Sequence, residues 1–284
     1  MDPKKIIVEH YPTLTPELQK AAGFVLEHNN ELAVLSMRAF ASLAEVKPAT
    51  LLRLAKRLGY AGWGELKAAV IDDLGLARDS YASRASGLQD KQQHPALYDE
   101  MFAAMAANLQ HAQDTNQQAL EQAVSLMDHA AHVYICGFRA SFPVAWSLHY
   151  IYRLFHRHVS LIDGLANNQE IYTREITAQD VVVVTGFAPY SREIVQIIEY
   201  AQAAGATLIA VTDSAVSPLA QAARCSLLFP TSSPSFFPSI VSAMGLSECL
   251  MAALVAKHGQ KAIQCIENAE RYLIDSGAYI YPSR

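Results

Sequence analysis

Residues 185–193, TGFAPYSRE, form a stretch whose side chains could bind a small molecule. It follows the apolar run VVVV at 181–184 and precedes the helical pattern IVQIIEYAQAAG. A loop that leaves a buried strand and enters a helix is a common ligand site in α/β proteins. Its chemistry is unusual, because Pro189 and Tyr190 stand where a loop that cradles an anion would carry Gly and Ser. The position indicates a ligand loop and leaves the ligand open.

A second stretch carries basic side chains at helical spacing. Residues 36–60, SMRAFASLAEVKPATLLRLAKRLGY, predict a helix, a short turn plugged by Val46 and a second helix that begins near Pro48. A short helix with small residues at its start and basic residues along one side suits the DNA major groove. The alternative is a merely solvated basic face. We expect six residues on the outer side of the second helix: Lys47, Ala49, Thr50, Arg53, Lys56 and Arg57.

The roles of these six residues follow from their size and charge. Ala49 and Thr50 are small enough to allow a close approach to bases, and Arg53 can contact a base edge or a phosphate. Lys56 and Arg57 are expected to contact phosphates. The 284-residue chain has a net charge of -5, which by itself argues neither for nor against nucleic acid. Residues 45–67, however, hold five basic residues against two acidic ones.

The elements that position these residues fall into two classes. The first third of the chain predicts short helices, whereas five apolar runs later alternate with helical stretches, as in a parallel sheet covered on both faces. Those runs are HVYICGF, HVSLID, DVVVVTG, ATLIAVTD and CSLLFP. We predict a helix-turn-helix domain at 1–77, a linker with a connecting helix from about Ala96 to Ala112 within 78–115, and an α/β domain at 116–284, with its final helix at 239–257.

The remaining sequence features exclude several classes of protein. The four cysteines form no C-x-x-C pair, have no cluster of histidines beside them, and are expected to be small buried residues in a reducing compartment. No metal site or cofactor is predicted. The N-terminus lacks the apolar segment of a signal peptide, and no apolar run approaches 18 residues. We therefore expect a soluble, cytoplasmic protein with no membrane partner.

The stretch KPATLLRLAKRLGYAGWGELK, at 47–67, resembles the RpiR-type transcription regulators, which join a helix-turn-helix domain to a sugar isomerase (SIS) domain. The resemblance implies that Thr50, Arg53, Lys56 and Arg57 belong to the recognition helix. Lys47 stands where the family commonly has Ser, so the capping hydroxyl is absent and a cation lies at the positive end of the helix dipole. A nearby DNA phosphate would account for that cation.

The resemblance also implies a doubly wound, mainly five-stranded parallel sheet with effector loops at the carboxyl ends of its strands. One loop is CGFRASF, at 136–142, which keeps Gly137 and Ser141 of the family pattern G-x-G-x-S but has Arg139 in place of the middle Gly. The other is the stretch that begins at Thr185. Against the pattern S-x-S-G-x-T-x-E, that stretch keeps only Ser191, in place of Thr, and Glu193.

Several phosphate-facing groups of the family are therefore missing. Gly186, Ala188 and Pro189 replace Ser, Ser and Gly, and Pro189 has no N–H to donate. Arg139 and Arg192 could hold a phosphate or carboxylate in their place. An anionic effector and a non-phosphorylated polyol or sugar acid both remain open. Tyr190 could stack on a sugar ring or pack on the sheet edge, and Arg192 could instead form a surface ion pair with Glu193 or Glu199.

Catalysis requires a base with a suitable pKa and a partner. Glu193, Glu248, His149 and His156 are the candidates, and they do not assemble into a catalytic set. His149 and His156 are expected to serve packing or a subunit contact, and Glu248 to line the effector pocket. We predict no catalytic residues and no enzyme. The alternatives are a SIS-class isomerase or lyase, and a structural dimer module without ligand.

The sequence thus predicts a transcription regulator that binds a palindromic operator as a homodimer or homotetramer and senses a small sugar-like effector. The predicted effector-binding residues are Gly137, Arg139, Ser141, Thr185, Tyr190, Ser191, Arg192, Glu193 and Glu248.

Overall fold

The computed structural model describes residues 3–28, 31–32, 35–73, 81–89 and 96–279. The chain divides into two compact units, Met1–Arg84 and Ala85–Arg284, here called the N-terminal unit and the C-terminal unit. The predicted domain boundary at 77 and parts of the predicted linker, 78–80 and 90–95, lie outside the described residues, as do 280–284. The division at 77 and 115 therefore stays a prediction.

The N-terminal unit is all-helical, as expected. Its helices are α1 Pro3–His10, α2 Pro16–Glu27, α3 Met37–Leu43, α4 Pro48–Arg57 and α5 Trp63–Asp73. A further helix, α6 Tyr81–Gln89, spans the division between the units. Apolar residues at helical spacing converge on one core, which includes Ile7, Val25, Phe40, Leu51, Leu54 and Leu66. Burial of these side chains, rather than intrinsic propensity, stabilises helices as short as α3 and α4.

The turn between α3 and α4 fixes the direction of α4. Glu45 adopts a left-handed conformation with φ of 52°. This conformation lets Val46 N–H donate to Ala41 O at 2.9 Å and Glu45 N–H donate to Ser42 O at 3.1 Å. The two bonds form a Schellman motif, and Val46 packs against the core as predicted. Lys20 Nζ lies 2.7 Å from Glu45 Oε2 and ties the exposed turn to α2.

The C-terminal unit contains the predicted five-stranded parallel sheet. The strands are β1 Val133–Gly137, β2 Val159–Ile162, β3 Val181–Gly186, β4 Thr207–Thr212 and β5 Cys225–Leu228. Their spatial order is β2-β1-β3-β4-β5, and every pair is parallel. This order reverses between β1 and β3, which makes that position the topological switch point of a doubly wound sheet.

Helices cover both faces of the sheet. They are α7 Ala96–Asp128, α8 Phe142–Arg153, α9 Asn168–Thr173, α10 Arg192–Ala203, α11 Pro218–Ala222, α12 Val241–His258 and α13 Gln260–Asp275. One core joins alternate strand residues such as Ile135 and Val183 to α7, α8 and α12. The other joins Val182 and Val184 to α10 and α11. Both faces are therefore dry, which explains the nearly continuous apolar runs of the strands.

Two helices and two cysteines differ from the sequence expectation. The connecting helix was expected to end near Ala112, but α7 continues to Asp128. The predicted final helix is α12, and α13 follows it. All four cysteines are free, yet Cys249 is exposed and Cys265 is partly exposed rather than buried.

Asn116 explains why α7 is long, because this buried side chain joins the helix to β5. Its Nδ2 donates to Leu228 O at 2.7 Å, and its Oδ1 accepts from Leu228 N–H. Nδ2 also donates to Ala112 O at 2.7 Å within the helix. The amide therefore satisfies both backbone groups of Leu228 on this edge strand.

Candidate functional site

Helix α4 presents its basic residues on one side and its apolar residues on the other. Leu51, Leu54 and Ala55 are fully buried in the core. The outer side carries five of the six expected residues, all exposed: Lys47, Ala49, Arg53, Lys56 and Arg57. Lys56 and Arg57 lie in the last turn, where the helix dipole favours cations. The exposed cations can therefore reach a partner without any rearrangement of the core.

Thr50 is the exception, and its expected place on the outer side is wrong. Thr50 has no exposed surface, and its Oγ1 donates to Glu17 Oε1 of α2 at 2.8 Å. Arg53 Nη2 lies 3.4 Å from the same hydroxyl and 3.7 Å from Glu17 Oε2. Thr50 thus joins α2 to α4. Arg53 keeps 62% of its side-chain surface exposed and stays accessible.

Lys47 is the N-cap residue of α4 and makes no capping hydrogen bond with its side chain, as the sequence implied. The first backbone N–H groups of a helix without a side-chain cap face solvent or a ligand. Together with the exposed cations, they form a surface that can contact phosphates and base edges. This surface of Lys47, Ala49, Arg53, Lys56 and Arg57 is called the basic face below.

The two predicted effector loops meet at the topological switch point. Gly137, the last residue of β1, pairs in register with Thr185 of β3. The segments that follow these two residues therefore start side by side at the carboxyl edge of the sheet. Ligands of doubly wound proteins bind in this crevice. The pair of loops at 138–141 and 187–191 is called the switch-point site below.

The first loop is shaped by a close approach of the backbone. A Cβ on Gly137 would lie 2.5 Å from the Cβ of Ala145 and 2.9 Å from the backbone oxygen of Ser141, so the turn into α8 requires glycine. Arg139 follows with φ of 52°, and Ser141 is buried. The Arg139 side chain reaches across to the second loop, where Nη2 donates to Glu193 Oε1 at 2.8 Å.

The second loop begins α10 with a capped turn. Ser191 is the N-cap, and its hydroxyl oxygen accepts from Ile194 N–H at 3.3 Å. The pKa of the Glu193 carboxyl is lowered by a hydrogen bond from its own backbone N–H, by Arg139 and by the Ser191 hydroxyl. Glu193 is therefore ionised at neutral pH. Arg192 is exposed in the same turn.

Tyr190 neither projects freely toward a ligand nor packs through its ring alone. Its hydroxyl donates to Asp213 Oδ1 at 2.8 Å, and Ala188 N–H donates to Asp213 Oδ2 at 3.2 Å. Asp213 follows directly after β4 and was missed by the sequence analysis. The signal was present, because Asp213 ends the run ATLIAVTD at the same edge of the sheet.

Two oxygen atoms at the switch-point site have no hydrogen-bond partner among the described residues. They are Thr185 Oγ1, on a residue only 1% exposed, and Glu193 Oε2. Buried polar atoms are usually paired, and exceptions often mark a ligand position. Glu248 lies exposed on α12 without a hydrogen bond or ion pair to the described chain, so its predicted place in this site stays a prediction.

The other candidate bases do not join these loops. His156 stacks on Tyr152 with ring centroids 4.7 Å apart, and burial lowers its pKa to about 4. Burial also lowers the pKa of His149. Within the described residues, no group of three or more His, Cys, Asp or Glu side chains could hold a metal ion. None of the helices described is both long and apolar enough to cross a membrane.

Comparison with family models divides the chain in the same way as its fold. Residues 1–76 match the helix-turn-helix domain of the rpiR family, and residues 126–256 match the SIS domain. An uncharacterized HTH-type transcriptional regulator of Bacillus subtilis, YbbH, is 28% identical over 220 residues, which is 73% of each chain.

Solved structures share the fold. The NanR protein of Vibrio vulnificus, complexed with ManNAc-6P, matches 98% of this chain and 100% of its own, with a TM-score of 0.62 and 16% identity. The sugar isomerase domain of an RpiR transcription factor from Sphaerobacter thermophilus matches 62% of this chain and 99% of its own, with a TM-score of 0.59 and 23% identity. An Escherichia coli protein in complex with a sugar phosphate matches 62% of this chain and 95% of its own, with a TM-score of 0.51 and 16% identity.

Proposed function

The chain belongs to the RpiR family of helix-turn-helix transcription regulators that carry a SIS domain, and from this premise we propose how it works. The basic face of α4 binds operator DNA, and a small sugar-derived effector bound at the switch-point site controls that binding. The function implies a location with the DNA in the cytoplasm. The observation that carries the proposal is the exposure of four cations on one side of a helix whose other side is fully packed.

The basic face supports DNA binding by its shape as well as its charge. Ala49 leaves the start of α4 narrow, and the exposed Arg53 extends from the next turn. Lys56 and Arg57 lie one turn further along, at a suitable spacing for the phosphates that flank a groove. Recognition helices of this class act in pairs, so we propose that a homo-oligomer binds a palindromic operator.

The switch-point site supports an effector role by its position and its unpaired oxygens. Two relatives of similar fold have been solved with sugar phosphates, one of them ManNAc-6P, which makes a sugar-like effector the class to test first. Binding at the carboxyl edge of the sheet would favour one arrangement of the copies and so change the spacing of their recognition helices.

Catalysis is not part of the proposal. Glu193, the candidate base nearest the loops, is ionised and bound to Arg139, with a pKa below its usual range. A general base works best with a pKa near the operating pH, so this carboxylate is poorly suited to proton abstraction.

An electrophoretic shift assay on the DNA upstream of the chain's own gene tests the proposal. We expect a discrete shifted complex that an unrelated duplex of equal length does not compete away. Footprinting should show two protected half-sites related by a two-fold axis, with centres one helical turn or a multiple apart. Binding of equal strength to both duplexes would contradict operator recognition.

A further inference from the structure

The charges within the switch-point site narrow the class of effector. A phosphate ester needs free N–H donors and cations that are not already neutralised. The loop after β3 offers few such donors. Ala188 N–H is bound to Asp213, Pro189 has no N–H, and Ile194 N–H is bound to Ser191. The chain's own side chains have taken donors that a phosphate would use.

The cations of the site are also balanced by carboxylates. Arg139 is bound to Glu193 Oε1 at 2.8 Å, and Asp213 holds the loop from the side of β4. Arg139 and Arg192 carry two positive charges, and Glu193 and Asp213 carry two negative ones, so the four side chains sum to zero. A phosphate dianion that approached Arg139 would face the Glu193 carboxylate beside it, and like charges repel strongly in a crevice with little water.

The unmet hydrogen bonds of the site point to a different ligand. Glu193 Oε2 is buried without a partner, and an ionised carboxylate oxygen only accepts hydrogen bonds. Thr185 Oγ1 is likewise buried without a partner at the end of β3, and it can donate or accept. Hydroxyl groups satisfy both atoms, because each hydroxyl donates one hydrogen bond and accepts others.

We propose that the effector is an uncharged polyhydroxy compound, a sugar or polyol without a phosphate group, whose hydroxyls bind Glu193 and Thr185. This inference rests on the effector role proposed above and names the class of that effector. It separates this chain from the two relatives of the same fold that were solved with sugar phosphates. In this chain Glu193 and Asp213 occupy the anion-binding groups of the loop.

Matched pairs of compounds test the inference on the full-length protein. The pairs are glucose and glucose 6-phosphate, mannitol and mannitol 1-phosphate, and myo-inositol and myo-inositol 1-phosphate. Affinity is measured by calorimetry, and thermal stability is measured at constant ionic strength. We expect at least one uncharged member to bind at least tenfold more tightly than its phosphate and to change operator affinity. Tighter binding of any phosphate than of its uncharged partner overturns the inference but leaves the effector role intact.

Inorganic phosphate provides a second test that needs no knowledge of the effector. Glu193→Gln removes the negative charge and frees the Arg139 guanidinium. We expect phosphate to give no saturable rise in melting temperature with the wild-type protein and a saturable rise with Glu193→Gln. The matched control is Glu199→Gln, which removes an exposed charge further along α10 and should behave like the wild type.

The outcomes separate the two proposals. Saturable phosphate binding by the wild-type protein overturns the inference, whether or not Glu193→Gln folds. If no compound of either kind binds or changes operator affinity, the effector role itself fails, and the inference fails with it.

Discussion

Arg53 is the residue of the basic face best placed to reach a base edge, because it lies at the middle of α4 with most of its side chain exposed. We expect Arg53→Ala to lower operator affinity by about 10- to 100-fold, the usual effect of losing one specific base contact. Its ion pair with Glu17 is exposed, so the folded state should lose little stability. Fluorescence anisotropy with a labelled operator measures the affinity.

Lys5→Ala is the matched control for Arg53→Ala, because it removes one exposed positive charge from α1. It should change operator affinity by less than about threefold, as a charge without direct contact is screened by salt. Equal losses for the two variants would mean that α4 contributes only general charge, and the assignment of the basic face would be wrong.

His156 should make the stability of the C-terminal unit depend on pH. Burial, the neighbouring His258 and His158, Lys261 and His132 hold its folded pKa near 4, below the ordinary value of 6.5. Between these values the unfolded chain binds a proton that the folded chain does not, so stability falls as pH falls from 6.5 toward 4. Above pH 6.5 this contribution is fully present. We expect His156→Phe to flatten that dependence in urea unfolding while keeping the stack on Tyr152.

His158→Phe is the comparison for His156→Phe, since His158 is exposed on the same connection to β2. Its profile between pH 6.5 and 4 should follow that of the wild type. A wild-type slope that survives in His156→Phe would show that His156 does not carry this contribution.

Thr50 shows where sequence reasoning about single residues stops. Helical spacing places Thr50 beside Arg53 and Arg57, and a polar residue there is naturally assigned to the outer side. The buried Glu17–Thr50 hydrogen bond decides otherwise, and its two partners are 33 positions apart. A pattern within one helix cannot show which helix will supply a partner. Asp213 was missed for the same reason, since its partners Tyr190 and Ala188 lie on another loop.

Among the elements, the turn from β1 into α8 is the most sensitive to a single added atom. Gly137→Ala would place a methyl group 2.5 Å from Ala145 Cβ and 2.9 Å from the Ser141 backbone, which cannot move without shifting α8. We expect a loss of about 1–3 kcal/mol in the free energy of unfolding, the usual cost of overpacking. Effector binding should weaken as well, because Arg139 follows this turn. Chemical denaturation and calorimetry measure the two effects.

Gly186→Ala offers a graded comparison at the end of the neighbouring strand. The nearest atom to its new methyl group is Leu219 Cδ2 at 3.0 Å, the end of a flexible side chain. This variant should therefore lose less stability than Gly137→Ala. The reverse order would show that the turn into α8 has room that the packing around Gly137 does not suggest.

The elements that the sequence predicts well are those whose burial is uniform. Strand β3 is apolar at nearly every position because both faces of the sheet are covered, so its run is visible without knowledge of its neighbours. The second half of α7 was harder to predict, because its buried residues include Asn116 and small alanines among exposed glutamines. Polar residues conceal the apolar stripe of such a helix.

At the scale of the whole molecule, the distribution of charge matters more than its sum. The net charge is -5, yet the basic face carries four exposed cations. Each cation that neutralises a phosphate releases a counterion, at about 0.9 per contact in the slope of log affinity against log salt. We therefore expect operator binding to weaken steeply with salt, with a slope of about -3 or steeper. Titrations between 50 and 200 mM salt, about a fourfold range, measure it.

Lys56→Ala should reduce the steepness of that salt dependence by about one unit and weaken binding equally on all sequences. Glu65→Gln, an acidic change within the same locally basic stretch, serves as the control for altered net charge. A slope near zero for the wild-type protein would show that phosphates are not contacted by α4.

The amide of Asn116 also bears on how the molecule avoids misassembly. An outer strand with free backbone groups can recruit a strand from another molecule and so begin a ribbon of indefinite length. At Leu228 both of those groups are already bound by a side chain of α7. Growth of the sheet past β5 is blocked at that position, which leaves helical surfaces for copies of this chain to recognise one another.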